Sequence, residues 1–96
     1  MKELSLKEST TKINGQDVKI SYKELVESCL KQVGREGINA VEMERRINIV
    51  KVLRAAKNKL SLEDADAVAL KELVEKMPWS VVDEAVLEFC KDVKKM

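Results

Sequence analysis

Hydrophobic positions along the chain change period three times, and each change marks an element. Residues 13 to 25 read INGQDVKISYKEL. Asn14-Gly15 between two β-prone runs is the strongest short-range hairpin signal, because a type I′ turn needs two positive φ angles that Asn and Gly tolerate. A two-residue loop pairs Ile13 with Gln16, Thr11 with Val18 and Ser9 with Ile20, placing Ile13, Val18 and Ile20 on one face. Leu4 and Leu6 have the opposite parity, so a strand reaching back to them needs a bulge or break between Lys7 and Thr10. An isolated hairpin is marginal in water, so this one, spanning about 3–20, is expected to lay its apolar face on the rest of the chain.

From Ser21 the period becomes helical. Ser21 and Glu24 have capping-box spacing, with Ile20 and Leu25 at the staple positions, and a formed cap predicts that Ser21→Ala costs about 1 kcal/mol. Tyr22, Leu25, Val26, Cys29, Leu30 and Val33 follow 3.6-residue spacing up to Gly34, a left-handed stop, predicting a helix over about 22–33. Asn39 and Glu42 repeat the box, flanked by Ile38 and Met43, and open a helix over about 40–57. Its apolar residues form no narrow stripe. Met43, Ile47 and Val50 lie on one side, and Ile49, Val52, Leu53 and Ala56 extend around much of the other, as in a helix that is central or shared with another chain.

A third helix, about 63–77, starts on Glu63, Asp64 and Asp66, which suit the partial positive charge of a helix N-terminus, and stops before Pro78. A fourth, about 81–94, follows Trp79-Ser80 and carries Val82, Ala85, Val86, Phe89, Cys90 and Val93 at helical spacing. The triplet Leu60 to Leu62 duplicates Leu4 to Leu6; it reads as a coincidence, with a short third strand ahead of the third helix as the alternative. The expected fold is α+β and mainly helical, an N-terminal β-hairpin packed on a compact four-helix domain, in the order β-β-α-α-α-α.

Composition sets the scale of this picture and removes several chemistries. With 96 residues, 45% hydrophobic and 36% charged, the chain suits one domain that buries roughly two-thirds of its unfolded surface. No apolar run approaches the ~20 residues of a membrane span, and MKELSLKEST does not read as a signal peptide, so a cytoplasmic protein without membrane contact is expected. Cys29 and Cys90 fall on apolar stripes and read as buried, reduced thiols. Histidine is absent, so two thiols alone cannot complete a four-ligand zinc site, and the acids at 63 to 66 lack the Gly and distant Glu of a calcium loop; no metal or cofactor is expected. With no imidazole base, phosphate loop or G-x-S-x-G elbow, the chain is not read as an enzyme.

Charge is the informative residue class. The net charge is only +1, but residues 44 to 60 hold six cations against one acid, a net +5, and residues 61 to 88 hold two lysines against eight acids, a net −6. The bland account pairs the two internally; the alternative turns the asymmetry outward to steer association. The leading expectation is a protein-protein interaction module, self-associating or bound to another protein, using Arg45, Arg46, Ile49, Val52, Arg54, Ala56 and Trp79. The alternative is nucleic-acid binding by Arg45, Arg46, Lys51, Arg54 and Lys57, although at 100° per residue these bases spread around the helix. The span SYKELVESCL through LEDADAVALKELVEKMPW resembles the short proteins of unassigned function encoded by bacteriophages and prophages. The resemblance covers most of the chain from Ser21 onward; it implies a phage-type setting and carries no catalytic or binding motif.

Overall fold

In the computed structural model, which describes residues 1–96, the turn at Asn14-Gly15 takes positive φ at both positions, 53° and 79°. Strands β1 (Lys2–Ser5), β2 (Glu8–Ile13) and β3 (Gln16–Ser21) precede α1 (Tyr22–Lys31) and α2 (Ala40–Ala55). Strand β4 (Lys59–Leu62) then leads to α3 (Asp64–Lys76) and α4 (Glu84–Lys94). The β2–β3 register is the predicted one, with Ile13 opposite Gln16, Thr11 opposite Val18 and Ser9 opposite Ile20. The strand is interrupted at Leu6-Lys7, which frees the preceding residues to change partner.

They pair with the segment that sequence reading treated as a coincidental repeat. β1 and β4 form a separate antiparallel pair with Leu4 opposite Leu60 and Glu3 opposite Ser61, and the Leu6 amide extends it by donating to the Asn58 carbonyl at 2.8 Å. The two LSL triplets meet at one pair, Leu4 opposite Leu60, both buried, while Ser61 and Leu62 face Glu3 and Lys2. The order is therefore β-β-β-α-α-β-α-α, a correction of the β-β-α-α-α-α expectation. One hydrophobic cluster of 16 buried residues draws on β1, β4, all four helices and Met96. The hairpin β2–β3 contributes none of them. It is held at its base, where Ile20 and Ser21 are buried and the Thr11 hydroxyl donates to Asp83 Oδ2 at 2.6 Å.

Two of the predicted helix ends are built differently. Ser21 makes no side-chain cap: it is still extended (φ −113°, ψ 128°), paired with Glu8, and the Tyr22 amide donates to the Lys7 carbonyl at 3.0 Å. The strand ladder thus satisfies the first helix amide and holds Ser21 extended, and the Ser21 hydroxyl does not accept from the Glu24 amide it was expected to serve. α1 stops at Lys31 without a left-handed Gly34; the positive φ lies at Gly37 (73°). The Arg46 guanidinium supplies the donors instead, to the carbonyls of Gln32 (2.7 Å) and Leu30 (3.4 Å), so a side chain of α2 takes over the orphan carbonyls of α1.

α2 ends at Ala55, and its cap forms as expected, with Asn39 Oδ1 accepting from the Glu42 amide at 2.8 Å. Asn39→Ala is therefore expected to cost about 1 kcal/mol, and Ser21→Ala clearly less; denaturant melts that reverse this order would contradict the assignment. Pro78 follows α3 as predicted, with Met77 extended before it (φ −64°, ψ 124°). α4 starts at Glu84 and not near 81, because Asp83 is the cap: its Oδ1 accepts from the amides of Ala85 (2.8 Å) and Val86 (3.4 Å). Val82, expected on the buried stripe, is left fully exposed ahead of the helix.

Asp92 ties three segments together. It accepts from the Tyr22 hydroxyl at 2.7 Å and from Lys7 at 3.2 Å, and these two donors, Tyr22 first, hold its carboxyl below the usual range. No helix is long and apolar enough to cross a membrane.

Candidate interaction surface

α2 has more apolar positions than the core can cover. Ile49, Val50 and Leu53 turn inward, and Met43 and Ile47, each 47% exposed, are left on the flank they share with Val50 at helical spacing. That flank faces the end of α1 and the segment after it. Leu30, Val33 and Ile38 complete an apolar cleft of about 430 Å³, in the size range of pockets that receive a ligand or an anchoring side chain. The Ile38 and Met43 staple expected to close the start of α2 instead forms part of its wall.

The rim is cationic. Lys31, Arg46, Lys51 and Arg54 line the cleft, and no carboxylate does. Glu27, outside it, accepts from Arg54 (3.0 Å) and Lys31 (3.5 Å); these contacts, Arg54 first, hold its carboxyl below the ordinary value. Arg46 is a strut more than a surface charge: its side chain is 13% exposed, pairs with Glu42 at 3.2 Å and holds the α1 carbonyls. Lys51 makes no ion pair.

The predicted interaction residues therefore separate. Arg46 and Arg54 come together at the cleft, joined by Lys51 from the nucleic-acid set. Ile49 is 1% exposed and belongs to the core, so it presents nothing to a partner. Val52 is exposed and Ala56 half-buried, both outside the cleft, and Arg45 pairs with Asp66 at 3.5 Å. Lys57 is exposed and unpaired. Met43, Ile47, Val33 and Lys31 were not among the residues expected to meet a partner. The signal was present in the i, i+4, i+7 spacing of Met43, Ile47 and Val50, but nothing in that spacing says which side of a two-sided helix is left open.

Trp79 lies elsewhere. It is half-buried, with its ring edge-on to Phe89 at 6.1 Å and 83°. Beside it the extended segment before α4 and the first turns of that helix enclose, with Trp79, a shallow apolar depression of about 530 Å³, whose outer ridge bears Val82 and Leu87, the latter 55% exposed. The charged residues at this ridge are Asp83 and Glu84, with no cation; Glu84 makes no ion pair. Both cysteines are free. Burial pushes the Cys29 thiol up to about 12, well away from a reactive thiolate. Cys90, expected to be buried, is half-buried behind Trp79.

Comparison of this chain with protein-family models, with curated proteins and with solved structures finds no match in any of the three.

Proposed function

We propose that this protein is a non-enzymatic protein-protein interaction module whose contact surface is the cleft between α1 and α2. The observation that carries the reading is the pairing of exposed Met43 and Ile47 with a rim of cations only, an apolar centre inside a charged border, the arrangement of an interface hot spot. The phage-type setting rests on the sequence resemblance and belongs to the same proposal. Nucleic-acid binding is the weaker reading, since Arg45, Arg46 and Arg54 already hold carboxylates or carbonyls and only Lys51 and Lys57 of that set are unpaired.

The test is a pull-down from the native host with the wild-type chain and with Ile47→Glu, read by quantitative mass spectrometry. A partner retained by the wild type and reduced at least tenfold, about 1.4 kcal/mol, with the variant supports the cleft. Equal retention by both chains overturns it. Fluorescence anisotropy against mixed DNA and RNA at low salt is expected to show no binding; affinity that falls steeply with salt would favour the nucleic-acid reading.

A further inference from the structure

We propose that the occupant of the α1–α2 cleft is a second copy of this chain, which inserts its Val82–Leu87 ridge head to tail. The inference rests on the reading of the cleft as a protein-binding surface. Three observations lead from that surface to a self-partner.

The first is the unresolved charge asymmetry. Of the ion pairs in the structure, only Arg45 with Asp66 joins the basic stretch 44 to 60 to the acidic stretch 61 to 88. Arg54 is held by Glu27 and Lys59 by Glu3, so folding does not neutralise one stretch with the other. The second is chemical complementarity. The cleft is lined by cations without acids and the ridge by acids without cations; Lys51 on one and Glu84 on the other have no partner. Opposite potentials of this kind steer encounter and set orientation.

The third is the apolar surface left in water on both sides. Val82 is fully exposed and Leu87 more than half exposed, and Met43 and Ile47 are nearly so in the cleft. Val82 stands fully in solvent on the rim of a shallow depression of about 530 Å³, and the α1–α2 cleft is concave. The two surfaces share no residue, so each chain can be donor and acceptor at once, and head-to-tail contacts of this kind generate a ring or an open chain of copies.

Sedimentation equilibrium over a concentration series tests this with two surface variants, Ile47→Glu in the cleft and Val82→Asp on the ridge, each checked for an unchanged melting transition. The wild-type chain is expected to self-associate, and each variant alone to do so about 30-fold more weakly, the loss typical of an anchor residue. An equimolar mixture of the variants is expected to form a 1:1 dimer and stop there, because one intact ridge meets one intact cleft and the remaining pair carries Asp against Glu. Wild type that stays monomeric throughout, variants that associate like wild type, or a mixture that stays monomeric would overturn the proposal. If the wild type is monomeric while Ile47→Glu loses a host protein, the cleft stands as a binding surface for a foreign partner and only the self-association falls.

Discussion

Replacing Phe89 with Ala is expected to lower stability by about 3–5 kcal/mol, enough to remove most of the margin of a small domain, which is roughly 5–15 kcal/mol. Phe89 is fully buried and is the largest such side chain. Its ring meets Tyr22 edge-on at 5.1 Å and 74°, and Trp79 at 6.1 Å and 83°, so one side chain joins α4 to α1 and to the segment after Pro78. Truncation opens a cavity and also removes two aromatic contacts, each worth about 0.5–1.5 kcal/mol beyond burial. Tyr22 is loosened with it, and its hydroxyl is the donor that Asp92, one turn along α4 from Phe89, accepts. The melting temperature should fall by roughly 15–25 °C, and Phe89→Leu should recover much of the loss because the apolar volume is largely kept. Lys91→Ala, on an exposed position of the same helix, should stay within about 0.5 kcal/mol. A Phe89→Ala melt indistinguishable from that of Lys91→Ala would show that the aromatic cluster does not hold the core together.

Leu60→Ala is expected to cost about 2–5 kcal/mol and to do so unevenly. Leu60 is fully buried opposite Leu4, and the β1–β4 pair has no third strand. Two-stranded pairs are marginal by themselves, so β1 is held by the side chains it places in the core. In native-state hydrogen exchange, β1 amides should therefore lose more protection than those of the β2–β3 hairpin, which is outside the core cluster. Ser61→Ala, on the opposite face of β4, should leave β1 protected. A loss of protection no greater in β1 than in β2–β3 would mean that Leu60 is not what anchors the N-terminal strand.

Elements specified by nearest neighbours were readable from the residues in order. Asn14-Gly15 dictates its turn through backbone sterics, and register follows from the loop length. Asn39 caps α2 with an amide three residues away, and Pro78 excludes its predecessor from the α region. Three amphipathic segments and one with apolar residues on two sides gave four helices, because helical spacing and its end signals are carried by each segment alone. Even the miss at α4 was local: Asp83 is a good cap, but the apolar spacing of Val82 with Ala85 and Val86 drew the expected start three residues early.

The misreadings have a common physical source. Whether a hydroxyl caps a helix depends on how its own residue is held, and pairing with Glu8 keeps Ser21 in the strand ladder. Whether Gly34 stops a helix depends on what else reaches the carbonyls, and Arg46 from another helix did so. The candidate site follows the same rule. Met43, Ile47 and Val50 were legible as one side of α2, but the choice of which side the core would cover was made by where α1, β4 and α3 packed.

By itself the sequence determined the turn, the register of the hairpin, the four helices and the separation of basic from acidic stretches, since each rests on residues within a few positions of one another. Only the tertiary structure decided that β1 leaves the hairpin to pair with β4, that Arg46 becomes a strut, and that a cationic cleft and an acidic ridge are left uncovered on one molecule. Those outcomes depend on competition between distant groups for the same amides, carbonyls and apolar area, and that competition is settled only when the whole chain packs.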